Sequence, residues 1–376
     1  MHLKNSHKIL LITMALLGFG IIMVYSSSFF RAESAKSIQD GYYFFKKQSI
    51  LIIFSIMIML IASRIPYQFW AKVSPFLLAI SWILLMLVLI PGIGHVAGGA
   101  RRWLRIGPIG FQPSEIAKIV LIIFIAAFVN RYPDQVKSFK KGFIPLSLVI
   151  GFTLLLTIIE PDIGTSVFIA LITGILLIIG GIRVTYILPI GLIVGAVVFA
   201  IVAACYPHIQ TRLSVFLHPM ADSAGKGYQI NQAQIALGSG GITGHGLGLS
   251  YQKLFYLPQQ HTDFILSIIG EELGFIGAMV VVLLFFFLMW HGKKIAENTE
   301  DRFGSLLAIG ITLMIVIQAV INIAVVTALL PTKGISLPFI SYGGSGLLVF
   351  MFSLGILVNI ARQSERKNPN QLRIQK

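Results

Sequence analysis

The chain has 376 residues, 56% of them hydrophobic and 11% charged, with a net charge of +15, and its mean hydropathy is +0.87. A soluble domain carries roughly 25% charged residues, so a soluble globular protein is excluded. The basic surplus lies between apolar runs and points to anionic headgroups or a phosphorylated lipid rather than nucleic acid, and the single cysteine, Cys205, excludes an intramolecular disulfide.

A membrane-crossing helix needs about 20 mostly apolar residues. Lys4 and Lys8 lead into the first such run, near 8–27, which reads as a retained span because no small-residue cleavage site follows. Further runs lie near 48–63, 71–90, 114–130, 143–159, 165–181, 184–205, 264–290, 304–327 and 341–361. The predicted fold is an all-α integral membrane protein. It is a single domain over 1–361, a bundle of about ten transmembrane helices with a large loop, 206–263, between helices 7 and 8; a polar tail follows at 362–376. No internal repeat is visible, which argues against an inverted-repeat transporter. An even span count puts both termini on one side. With cytoplasmic termini, the inner segments hold 17 of the 29 basic residues, including the pairs Lys140-Lys141, Lys293-Lys294 and Arg366-Lys367. Segments 91–113, 160–164, 206–263 and 328–340 then face outward.

Several polar constellations fall on those outward segments, each with a bland and a functional reading. Arg101, Arg102, Trp103 and Arg105 precede Gln112-Pro113-Ser114-Glu115, which opens a helix containing Lys118. They form either an interfacial Trp–Arg anchor with a capped helix, or a phosphate cradle in which Arg forks match phosphate oxygens and Lys118 adds a point charge. Glu115, three residues before Lys118, can pair with it. Glu160-Pro161-Asp162 is either a helix end with Asp162 capping the next helix, or an acid/base pair or cation site. In the long loop, Ile230–Leu237 is amphipathic. Its Gly225-Lys226-Gly227 and Gly244-His245-Gly246-Leu247-Gly248 lack phosphate-loop spacing and read as tight turns. The loop ends in His261-Thr262-Asp263, directly before an apolar helix. An acid there either caps that helix or has a task. Glu271 and Glu272 follow about two turns later, as functional acids or ion-pair partners. Leu330–Gly346 is rich in Gly and Ser, suited to close helix packing, with Lys333 its only charge.

The stretches GARRW, QPSEIAK, EPDIGTS, GLGLSYQKLFYLPQQHTDFILSIIGEELG and LPTKGISLPFISYGGSG, in this order, resemble the SEDS family (shape, elongation, division and sporulation) and are closest to its FtsW-like division and sporulation branch. One departure is Glu160, where the family more often has Gln; the added charge beside Asp162 raises proton affinity there. The resemblance implies a peptidoglycan glycosyltransferase of the bacterial cytoplasmic membrane that polymerises lipid II by inverting hexosyl transfer. The family's essential carboxylate falls on Asp263, the expected catalytic base, and its outer-loop tryptophan and fourth-span basic residue fall on Trp103 and Lys118. Arg101, Arg102 and Lys118 are the candidate pyrophosphate contacts; Glu115, His261 and Glu271 join them as candidate substrate-binding residues. A single-span class B penicillin-binding transpeptidase is the implied partner. A divalent cation near the pyrophosphate is compatible with the chemistry, but no ligand cluster is visible. The competing reading is a lipid II flippase without polymerase activity. Division, sporulation and elongation roles stay open.

Overall fold

The computed structural model describes residues 4–34, 39–97, 100–106, 109–205, 214–217, 227–254, 256–332 and 334–367. Its helices are α1 (Asn5–Ser34), α2 (Tyr43–Arg64), α3 (Gln68–Leu89), α4 (Pro113–Arg131), α5 (Ile144–Ile159, entered through a π-turn at Phe139–Phe143), α6 (Ile163–Ile179), α7 (Val184–Cys205), α8 (Tyr228–Ser239), α9 (Ile265–Asn298), α10 (Arg302–Val326) and α11 (Ser345–Lys367). Among the described residues nine helices are long and apolar enough to cross a membrane, and α6, with 17 residues, is a shorter apolar helix. At 1.5 Å per residue α6 still covers roughly 25 Å, close to a hydrocarbon core of about 30 Å. The expected ten apolar helices are therefore present, and α8 lies inside the long loop.

The helices run past their apolar runs. α1 begins at Asn5 and ends at Ser34, α2 begins five residues before its apolar run, and α11 continues through Lys367. Backbone hydrogen bonding continues through Ser, Lys and Arg after hydropathy has fallen, so the segment expected as a polar tail begins as helix. Local caps set other ends. Pro113 opens α4, Asp162 accepts from Thr165 N at α6, and Asp301 accepts from Gly304 N at α10. The carboxylate of Glu365 takes both the amide and the hydroxyl of Ser6, so the first and last helices meet at one end of the bundle.

The opposite end carries the polar constellations. There the segment after α3, expected as a loop, folds into a three-stranded antiparallel sheet: β1 (Gly94–Ala97), β2 (Ala100–Ile106) and β3 (Ile109–Phe111), in the order β1-β2-β3. His95 pairs with Trp103, Leu104 with Phe111, and Arg105 with Gly110. Period-two alternation turns Ala100 and Leu104 inward as buried residues while Arg105 stays exposed.

The helix α9 is broken. Gly274 has φ 67° and ψ −164°, a conformation that favours glycine. The backbone groups released by the break are taken up by the long loop: Phe275 N donates to Gly241 O (2.9 Å), Ile276 N to Ile242 O (3.1 Å), His245 N to Glu271 O (3.0 Å) and Gly246 N to Glu272 O (2.9 Å). The tight turn expected at Gly244–Gly248 is present, with positive φ at Gly244, Gly246 and Gly248, as at Gly241 before it; Gly225 and Lys226 lie outside the described residues. A side chain at Gly244 would run into the Glu272 carbonyl. α9 has 34 residues against 25 in α10. A straight antiparallel α9 would put about residue 278 opposite Asn322. The break instead returns the chain, so that residue 263 lies against Asn322. By contrast α7 has no buried residue in its apolar window.

Candidate functional site

Asp263 is the last residue before Phe264, the N-cap of α9, so it does not occupy the capping position. It is half-buried, and its main chain is held by two other elements. Asn322 Nδ2 on α10 donates to the Asp263 carbonyl (2.8 Å). From the segment leading into α11, Ser341 Oγ donates to Thr262 O (2.6 Å) and Tyr342 N to His261 O (2.9 Å). Gln260 closes the turn behind it by donating to Ser27 O (2.6 Å) and Lys253 O (3.0 Å). Gly334 borders the carboxylate: a Cβ there would stand 3.5 Å from Asp263 Oδ2. Lys333 lies outside the described residues.

Lys118 enters the same end from α4. Its ammonium is buried, and a cation inside an apolar span requires partners. It has an ion pair to Glu115 (2.8 Å), a hydrogen bond to Gln318 Oε1 (3.0 Å), and the rings of Phe168 and Phe350 at 4.9 and 5.7 Å. Glu115 is the more accessible member and borders Gly346 at the start of α11. The expected pairing of Glu115 with Lys118 is thus present, with Lys118 beneath it.

The sheet brings a second cluster. Arg102 Nη1 reaches Asp162 Oδ1 (3.4 Å), and Gln112 Nε2 donates to Asp162 Oδ2 (2.6 Å) and to Ser114 Oγ (2.9 Å). Asp162 therefore caps α6 and also binds the sheet. Arg101 turns back and donates to Leu89 O (3.4 Å) at the end of α3. Trp103 is half-buried, with its ring across Gly110, where a Cβ would lie 3.7 Å away. Gly344 approaches the Gly110 carbonyl, so the sheet abuts the segment that precedes α11.

Glu160 is fully enclosed, and among the described residues neither of its side-chain oxygens has a hydrogen-bond partner. Burial, reinforced by the Asp162 charge and opposed by Arg102, pushes its pKa up to about 9. Its carboxyl is therefore neutral at pH 7, where it resembles a glutamine in shape and charge. The folded protein holds this proton while the unfolded chain releases it above about pH 4.5. Stability accordingly falls as pH rises from that value toward 9. Glu160→Gln removes this dependence: the melting temperature of the wild type should drop more between pH 5 and pH 8 than that of the variant, in parallel thermal melts.

These residues match a known family of proteins. The family model described as cell cycle protein FtsW/RodA/SpoVE covers residues 7–366. A probable peptidoglycan glycosyltransferase FtsW of Trichlorobacter lovleyi is 46% identical over 354 residues, 94% of this chain and 92% of the relative. The chain belongs to the FtsW/RodA/SpoVE family. Stage V sporulation protein E of Bacillus subtilis is 40% identical over 363 residues, 96% of this chain and 98% of the relative. Among solved structures, a chain from a peptidoglycan synthase complex that coordinates polymerization and crosslinking superposes with a TM-score of 0.76, at 23% identity, over 95% of this chain and 97% of that one. The rod shape determining protein RodA of Thermus thermophilus gives 0.69 at 22% identity, over 95% and 96%. Both share the fold of this multi-pass membrane protein.

In this family member the two acids of α9 anchor the loop. Glu271 accepts from Ser250 Oγ, Tyr251 N (2.8 Å) and Gln252 N (3.3 Å). Glu272 pairs with Lys253 (2.8 Å) and accepts from the half-buried Ser26 Oγ (2.7 Å); Glu272 and Lys253 are both buried between α1, α9 and the loop. Glu271 is thus saturated by residues 250–252, which lead into the turn before Asp263. His261 is buried against the rings of Phe44 (4.7 Å) and Tyr342 (5.7 Å). Burial, and then the Arg31 charge, hold its pKa down at about 4, so at neutral pH it offers no cation to a phosphate. Ser26, Gln318 and Asn322 make contacts here that the sequence motifs do not single out. The only signal for the last two is an amide pair spaced i, i+4 within an apolar span.

Proposed function

We propose that this family member is a peptidoglycan glycosyltransferase that polymerises lipid II on the outer face of the bacterial cytoplasmic membrane, with both termini cytoplasmic. The observation that carries this reading is Asp263, a half-buried carboxylate whose main chain is fixed by α10 and by the segment preceding α11, at the bundle end that also carries Arg101, Arg102, Trp103 and the Glu115–Lys118 pair. The names of the relatives and the basic bias of the opposite end support the reaction and the orientation.

In the proposed reaction the donor is a glycan on undecaprenyl pyrophosphate and the acceptor is lipid II. Asp263 takes the proton of the acceptor GlcNAc 4-hydroxyl as that oxygen attacks the donor MurNAc anomeric carbon. The anomeric C–O bond breaks and its electron pair leaves on the lipid pyrophosphate. One displacement turns an α-linked donor into a β-linked product, so one base suffices. Guanidinium groups suit the leaving anion, and Arg102, part-exposed beside Asp162, is the proposed contact. Arg101, on the same strand, donates to Leu89 O, and Lys118 is neutralised by Glu115, so Arg102 is the proposed principal contact. Trp103 presents an aromatic face for a sugar ring. No three His, Cys, Asp or Glu side chains cluster among the described residues. The proposed steps use no cation. A single-span class B penicillin-binding transpeptidase is the proposed partner, supported by the likeness to a chain of a synthase complex.

Purified protein given lipid II in detergent, with no membrane to cross, should form glycan strands. A flippase forms none under those conditions, so an absence of product, with and without the partner, overturns the reading.

A further inference from the structure

Two carboxamides sit one turn apart on α10, within an apolar span. Gln318 is 3% exposed and Asn322 1%. Amides at such depth are costly unless bonded. Asn322 Nδ2 donates to Asp263 O (2.8 Å) and to Ile335 O (2.7 Å), although its own Oδ1 has no hydrogen-bond partner among the described residues. Gln318 accepts from Lys118 Nζ (3.0 Å) and donates to Ser336 O (3.1 Å). Ile335 and Ser336 are consecutive, so the two amides grip neighbouring carbonyls of one segment.

The contacts form a continuous ladder from Glu115 and Lys118, through Gln318, Ser336, Ile335 and Asn322, to Asp263. A leucine at 322 would suit the span and avoid the orphaned oxygen. What it could not do is set the height of residue 263 against residues 335 and 336. We propose that Gln318 and Asn322 are positioning residues that fix the Asp263 carboxylate relative to the Glu115–Lys118 pair. The proposal rests on the reading of Asp263 as general base. Both amides act through main-chain carbonyls and touch no substrate.

Misplacing a reacting group by about 1 Å costs on the order of 10²-fold in rate. The test is a cycle of four purified proteins: wild type, Asp263→Asn, Asn322→Leu and the double variant, with lipid II titrated in detergent. Asn322→Leu should lower kcat by about 10²-fold and leave KM within about twofold. On the Asp263→Asn background it should add nothing, because its effect passes through that carboxylate. Gln318→Met is the second variant, used in the same cycle if Asn322→Leu does not elute as a folded monodisperse protein. A wild-type kcat for both amide variants overturns the proposal, as do fully additive losses or a change in KM alone. Asp263→Asn polymerising at the wild-type rate is a different outcome: it sinks the general-base reading, and the positioning role falls with it.

Discussion

Asp263→Asn should lower lipid II polymerisation in detergent by about 10²–10⁴-fold, the usual range for loss of a general base, while the protein stays folded. Folding is spared because three supports of this turn are main-chain contacts. Asn322 binds the carbonyl of residue 263, Ser341 that of residue 262, and Tyr342 N that of residue 261. An asparagine keeps all three and removes the proton acceptor. The measurement is the initial rate of glycan formation, paired with the melting temperature of the same preparation. A wild-type rate would remove Asp263 from the reaction, and a collapsed melting temperature would make it a structural residue.

The second large effect concerns stability. Lys253→Met leaves Glu272 fully enclosed, with Ser26 as its remaining donor. Breaking a buried pair from one side costs about 3–5 kcal/mol, because the remaining charge has no compensation. The melting temperature should fall by several degrees. Replacing both members, Lys253→Met with Glu272→Leu, should recover much of the lost stability, because an apolar pair of similar volume removes the desolvation cost. Equal melting temperatures for the single and double variants would show that the charge of Glu272 is not what destabilises the protein.

The spans were legible because length and hydropathy alone specify a membrane helix, and the even count, the long loop before α9 and the amphipathic α8 followed from the same signal. The ends of α1 and α11 were not, since the backbone ladder continues through polar residues that hydropathy discounts. The sheet was concealed by its charges. Arg101, Arg102 and Arg105 read as a basic loop, although Gly98-Gly99 and Gly107-Pro108 bracket the seven residues of β2 with turn signals. At the site, Asp263, Trp103 and Lys118 were reached through a resemblance rather than from spacing. Asn322 and Gln318 are uncharged and sit in an apolar run, so only tertiary contact shows their use. Glu271 read as a substrate contact because its partners, the amides of Tyr251 and Gln252, lie some twenty residues back and have no side-chain signature.

The break at Gly274 also sets the order in which the site can be assembled during synthesis. The loop that receives the freed backbone of α9 is translated before α9, so its carbonyls are already waiting when Phe275 and Ile276 emerge. That pairing spans a short stretch of chain and closes at modest entropic cost. The contacts that fix residues 262 and 263 come from 79 and 59 residues further on. A nascent chain that stops after α9 therefore owns a docked loop and an unaimed carboxylate. On the proposed reading of Asp263 as the base, that carboxylate is aimed only once the last two membrane helices are in place.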